Sequence, residues 1–408
     1  MLRTLLLIPS FYGATLFATA FALYAGNSGE YEQGSPEVYL VCLVVVLAFT
    51  LATARSLPRF ARCETQLSLQ PTGGGHYAWT LIAVLHLIGL WGIYQYFNSL
   101  AGYFGSPLEV VLRLMSNSGE IRIAAPEVTS VGIQISYAGW IAIWLTAIKN
   151  PTASGKWILI GMSIIQLAAN LLFVDRTRPI WILFVAALLF GLKHFSLLRT
   201  RLLLVIMTCV GVGFISLFVL IGAWVGKVSV SSGSGGVDLH TALEPVYIYT
   251  TSGFAYLNRV LLLEEPDMTL ARSLYPLWTV GAHFGLVSAP PSQINEFLFT
   301  PKPTNVGTFL EPMYRDGGLV LVLAGIALHA FGFNWIGLRL VRRQSALCSV
   351  AWAVLCFTDA IAFFTPKYAS APVWLFVGLG LAVLIWRPLQ WGAAGNSAGL
   401  ECGWVKHG

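Results

Sequence analysis

A chain of 408 residues that is 56% hydrophobic and only 10% charged departs from soluble domains, in which about 25% of residues carry charge. That composition excludes an ordinary water-soluble enzyme and predicts an all-α polytopic membrane protein. The net charge of +6 reflects a one-sided distribution of Lys and Arg, described next, so it gives no argument for a nucleic-acid partner.

A hydrocarbon core of about 30 Å takes roughly 20 apolar residues to cross as a helix. Ten stretches are predicted as spans: Leu5 to Ala25, Glu37 to Ala54, Ala78 to Leu100, Ser130 to Ile148, Trp157 to Val174, Pro179 to Leu192, Leu202 to Val225, Leu319 to Leu338, Ser345 to Phe364 and Ala371 to Trp386. Alternate connections collect the cations: Arg55, Arg59 and Arg62; Lys149 and Lys156; Lys193, Arg199 and Arg201; Arg339, Arg342 and Arg343. Arg3 and Arg387 stand at the two ends. Positive residues stay inside, so both termini are expected in the cytoplasm. The other side takes nearly all the acids, from Glu30 to Asp175 and then every carboxylate from Asp238 to Asp316. The organisation that follows is spans one to seven over 1–225, a large outer loop over 226–318, spans eight to ten over 319–388 and a Gly/Ala-rich cytoplasmic tail over 389–408.

The first span has a single Arg before it and no small-residue cleavage site, so it is expected to remain as a span and not to be removed as a signal peptide. None of the six cysteines falls in an outer loop, which argues against disulfides and against a Cys-based metal site. The Gly73-Gly74-Gly75 run in the second connection has no strand before it and no Walker lysine after it, and reads as a linker. Ala101 to Thr129 contains an amphipathic piece with Leu108, Val111, Leu112 and Met115 on one side, suited to the membrane interface.

Between the fifth and sixth spans, V-D-R-T-R-P places Arg176 and Arg178 on the outer side, against the charge bias. With Pro179 opening a helix, both guanidinium groups stand at a positive helix end. They are candidates for gripping a diphosphate bidentately; the alternative is a pair of interfacial anchors beside Asp175. In the large loop a helix is expected over Leu239 to Leu263, kinked by Pro245 and interrupted by Gly253. It would carry His240, Glu244, Tyr247 and Thr251 on one face. His240 and Glu244 are candidate acid–base groups; with no third ligand in view, metal binding is not expected. Ser273 to Thr300 mixes aromatics with Pro290-Pro291 and reads as a lid or re-entrant segment.

The stretch from Lys302 to Gly318, K-P-T-N-V-G-T-F-L-E-P-M-Y-R-D-G-G, concentrates ionisable groups directly before an apolar span. Asn305, Tyr314 and Arg315 are candidates for meeting a sugar phosphate. Asp316 reads either as part of the same polar wall or as a cap on the following helix with Arg315 as its ion-pair partner. Inside the spans, Asp359, His329, His86, Gln166 and Asn170 are polar groups in hydrocarbon, where ionisable residues mark function by default. Asp359 would line a proton path or pair with an arginine.

Three pieces resemble the bacterial oligosaccharide-repeat-unit polymerases, the Wzy-type O-antigen polymerases of the inner membrane. They are the arginine pair within Asp175 to Pro179, the Tyr-rich Tyr247 to Asn258, and above all T-N-V-G-T-F-L-E-P-M-Y-R-D-G-G from Thr304 to Gly318. O-antigen ligases share the layout but usually place His where this chain has Thr304. The polymerases often have Phe-Gly after the Asp, where this chain has Gly317-Gly318. The resemblance implies a GT-C-like membrane fold and metal-independent glycosyl transfer at the periplasmic face, with no cofactor. The substrates would be undecaprenyl-diphosphate-linked oligosaccharides, taken from among the membrane lipids, and a chain-length co-polymerase would be the protein partner. Arg176, Arg178 and Arg315 would bind the diphosphate, and Asn305, Tyr314 and Tyr247 the sugars. Glu244, His240 or Asp316 would activate the acceptor. The competing readings are a ligase that passes glycan to a lipid core and a polysaccharide or lipid transporter using Asp359 and His329; the absence of an internal repeat argues against the transporter.

Overall fold

The computed structural model describes residues 1–26, 34–64, 76–111, 126–148, 153–173, 177–194, 239–291, 298–299, 303–343 and 345–391. The expected seventh span, Arg176, the glycine triplet and the tail after Trp391 lie outside these residues.

The described residues are overwhelmingly helical: α1 (Leu2–Leu5), α2 (Pro9–Gly26), α3 (Pro36–Glu64), α4 (His76–Phe104), α5 (Pro126–Ile148), α6 (Ala153–Leu171), α7 (Thr177–Lys193), α8 (Leu239–Leu263), α9 (Tyr275–His283), α10 (Leu310–Ala327), α11 (Phe333–Arg342), α12 (Ala346–Ala360) and α13 (Ala371–Trp391). One antiparallel pair, β1 (Leu298–Phe299) with β2 (Pro303–Thr304), interrupts the helices. Hydrocarbon demands that backbone groups be satisfied within a segment, which selects helices for such apolar runs. α2, α3 and α5 each begin on a proline, a residue whose missing N–H costs nothing at a first helical position.

Four helical stretches are long and apolar enough to cross a membrane: Pro36–Cys63, Trp79–Phe104, Val131–Ile148 and Leu310–Arg342. Gly155–Leu171, Ala346–Ala360 and Ala371–Trp386 are shorter apolar helices. The chain is thus an α-helical membrane protein.

Packing divides into two large cores. One joins α5, α7, α11, α12 and α13 through Trp140, Trp144, Trp181, Trp352, Phe357 and Phe376, with Trp181 stacked on Phe357 at 5.0 Å. The other joins α2, α3, α8 and α10 through Phe17, Phe49, Phe254 and Phe309. α4 and α5 approach closely: a Cβ on Gly89 would stand 2.5 Å from the Gly139 backbone; small residues let membrane helices approach this way.

One expectation changes. Gly253 does not interrupt α8, which runs unbroken from Leu239 to Leu263; a Cβ there would meet the Phe363 carbonyl oxygen at 2.6 Å, so the glycine serves close packing. The eighth span runs on from Leu319 as expected, and a break at Gly317–Gly318 joins it to a short helix that starts at Leu310. Gly318 has φ 60° and ψ −155°, a region open essentially to glycine alone. Further along, a π-helical turn over Leu328–Gly332 holds His329. Such turns often occur at functional positions.

Candidate functional site

The Thr304 to Gly318 motif folds against the turn that follows α12. The Phe309 N–H donates to the Ala362 carbonyl at 2.9 Å, which ties the start of α10 to that turn. One helical turn separates Glu311 from Arg315, so their side chains meet on one face: Arg315 Nε lies 3.0 Å from Glu311. Its Nη2 donates to Glu264 at 2.6 Å and to the Tyr256 hydroxyl at 3.1 Å. Glu311 is buried and Glu264 partly open to solvent. Tyr314, half-buried beside them, donates to the Leu261 and Glu264 carbonyls at the end of α8, both at 3.5 Å. Burial pushes the Tyr256 phenol up to about 12, with the Arg315 charge working against it.

Asp316 is buried and faces the other way. It accepts the backbone N–H groups of Arg272 at 3.2 Å and Ser273 at 2.6 Å, and the Thr269 hydroxyl at 3.3 Å. The Arg272 guanidinium, ion-paired to Asp267, lies 3.8 Å from it. Asp316 therefore caps the turn before α9, neither its own helix nor Arg315. The break at Gly317–Gly318 directly after it ends the first stretch of α10. Around α10's first turns two arginines face four carboxylates, so the cluster is rich in negative charge.

The other sequence candidates are spread around this cluster. Arg178 stands in the first turn of α7, half-buried, its guanidinium 4.1 Å from the centre of the Phe173 ring. Three residues on, Trp181 carries the Lys367 ammonium over its ring at 5.9 Å, and Tyr368 follows. Burial raises the Tyr368 hydroxyl above its ordinary range. The turn at 361–370 touches α7 through Lys367 and Trp181 and the start of α10 through Ala362 and Phe309. Tyr247 is half-buried in the α2–α3–α8–α10 core, and Asn305 is half-buried ahead of α10. His240 and Glu244 fall in the first turns of α8, and their side chains lie outside the described set.

Glu264, Asp267, Arg272, Tyr256, Lys367 and Tyr368 belong to this constellation and were not singled out in the sequence. The readable signal was L-L-L-E-E-P-D, carboxylates directly after a helix on the acid-rich side.

Deeper along the same span, His329 Nδ1 is hydrogen-bonded to Asp359 Oδ1 at 2.9 Å, both residues fully buried. The expected arginine partner for Asp359 is thus a histidine. His329 lies between the rings of Phe309 and Phe333, 4.6 and 4.4 Å between centres. His86 approaches Ser163 at 3.4 Å, and Asn170 accepts the Trp140 indole N–H at 3.0 Å; both bind neighbouring helices together. Among the described residues no group of three His, Cys, Asp or Glu is placed to hold a metal ion.

No protein-family model, no curated protein and no solved structure matches this chain.

Proposed function

We propose that the protein polymerises undecaprenyl-diphosphate-linked oligosaccharide repeat units at the periplasmic face of the bacterial inner membrane. The observation that carries this reading is the Thr304 to Gly318 motif folded as a fixed ion-pair cluster at the end of a membrane span, where a water-soluble glycan and a lipid anchor meet. In the reaction the acceptor hydroxyl oxygen attacks the anomeric carbon of the growing glycan. The bond from that carbon to the diphosphate oxygen breaks, lipid diphosphate departs, and the hydroxyl proton passes to a base.

Departing diphosphate needs cations preorganised for its developing charge. Arg178, in the first turn of α7, fills that role together with Arg176. Arg315 has its charge already met by Glu311 and Glu264, so its part is to hold those carboxylates, with Glu264 open toward sugar hydroxyls. Asn305, Tyr314 and Tyr247 line the glycan side. Asp316 has both oxygens engaged by protein donors, which leaves Glu244 and His240 as bases.

One observation favours a second reading. The His329–Asp359 pair lies buried inside the span, where a proton-coupled transporter of polysaccharide or lipid would use it.

The test combines purified protein with two lipid-linked repeat units in detergent and resolves the products by size. Dimers and longer chains that Arg178→Ala abolishes support the polymerase. Transfer only to a lipid core acceptor would make the protein a ligase. Absence of any glycosyl transfer, together with pH-gradient-driven uptake in vesicles, would favour the transporter.

A further inference from the structure

The segment Ser273 to Pro291 contains no Asp, Glu, Lys or Arg, and a single histidine, His283. It holds α9, a nine-residue helix none of whose side chains is buried. Leu277 and Val280 are more than half exposed, Phe284 is 72% exposed and Leu286 78%. At helical rise α9 is about 14 Å long, less than half of a hydrocarbon core of about 30 Å, so it cannot cross. A run of exposed apolar side chains this dense marks a surface that meets something other than water.

Two side-chain donors of the segment are satisfied from within. The Trp278 indole N–H donates to the Ser288 carbonyl at 3.0 Å, and the Thr279 hydroxyl to the Tyr275 carbonyl at 2.8 Å. After the helix, Phe284, Gly285 and Leu286 N–H groups return to Val280, Ala282 and Gly281 carbonyls. Internal pairing of this kind lowers the cost of placing the helix in hydrocarbon. The surface is also continuous with the apolar exterior of the spans. α9 packs against α13, whose Leu375 and Leu379 are exposed, and the segment leading to α9 exposes Met268 and Leu270. Pro266 lies 3.2 Å from the position of a Cβ on Gly318, next to exposed Leu319 and Val320.

We propose that α9 and its flanks, Leu277, Val280, Phe284 and Leu286 foremost, are immersed in the acyl chains of the leaflet on the Arg315 side, forming a lipid-embedded foot beside that cluster. Tyr275 and Trp278 suit the headgroup boundary, where amphipathic aromatic rings collect. The inference rests on the membrane placement of the chain alone and is independent of the polymerase reading.

The experiment places nitroxide labels at Leu277→Cys, Val280→Cys and Phe284→Cys, one at a time, in full-length protein whose native cysteines are replaced, reconstituted in phosphatidylcholine–phosphatidylglycerol vesicles. Collision with oxygen, which partitions into lipid, is compared with collision with a water-soluble nickel chelate. Leu47→Cys on the exposed face of α3 and Arg59→Cys near its end give the lipid and water references. The proposal expects the oxygen-to-nickel ratio at all three positions to shift to that of Leu47. A ratio like that of Arg59 overturns it, and so does shielding from both reagents, which would mean a protein partner or second copy on this face. Met268→Cys repeats the measurement outside α9 should a helix variant fail to reconstitute, with the same two readings.

Discussion

The span from Leu310 to Arg342 carries two groups of ionisable side chains that solve the same problem differently. At its start, Arg315 is held by Glu311, Glu264 and Tyr256 while Asp316 takes two backbone N–H groups and a hydroxyl. Deeper in, His329 and Asp359 share one hydrogen bond, and His329 Nε2 and Asp359 Oδ2 have no protein partner among the described residues. Near water, a guanidinium fork with five donors can organise several acceptors at once. In the hydrocarbon interior only as many charges persist as can neutralise each other. The first group is built for rigidity and charge, and the second for a single reversible contact.

The sharpest way to break that contrast is to remove the hub of the first group. Arg315→Ala leaves Glu311 buried without its counter-charge, a change that costs about 3–5 kcal/mol when one partner of a buried pair is lost. Thermal unfolding in detergent measures it. The double variant Arg315→Met with Glu311→Leu should recover most of the loss, since no unpaired charge remains; equal loss in both would show that the ion pair is not the cause.

Next in size is Gly318→Ala. A side chain at φ 60° and ψ −155° carries strain on the order of 1–3 kcal/mol, and a Cβ would press on Pro266 at 3.2 Å. The variant should lower the melting temperature and loosen the Asp316 contacts to 272–273, seen as faster amide exchange there. Unchanged exchange at Ser273 would separate the glycine break from the placement of Asp316.

The smallest effect belongs to the buried pair. Hydrogen bonds between membrane helices average about 0.6 kcal/mol and reach roughly 1.7, so Asp359→Leu should cost no more than about 2 kcal/mol. A loss as large as that of Arg315→Ala would mean that the two groups are equally structural and would erase the distinction drawn between them.

Much of the frame was legible in the sequence because apolar length is a local property. Pro36–Cys63, Trp79–Phe104 and Val131–Ile148 each contain or closely match an expected span, since twenty apolar residues in a row have one stable form in lipid. The Tyr247–Asn258 and Thr304–Gly318 stretches likewise declared themselves as polar segments attached to apolar ones. What pattern alone could not supply was direction. Asp316 reads as a cap for the helix it precedes, yet it accepts the backbone N–H groups of Arg272 and Ser273. Arg315 reads as its partner, yet Glu264, fifty-one positions earlier, takes the charge.

The sequence by itself determined that this chain carries membrane-spanning helices and where its polar motif lies, because hydropathy and charge act residue by residue. Tertiary structure alone decided which carboxylate meets which arginine, that Asp359 is matched by His329, and that the uncharged segment around α9 presents its apolar side chains outward. Those outcomes depend on distances between segments far apart in the chain, set by packing around Phe309, Phe254 and the 361–370 turn, and no local pattern encodes them.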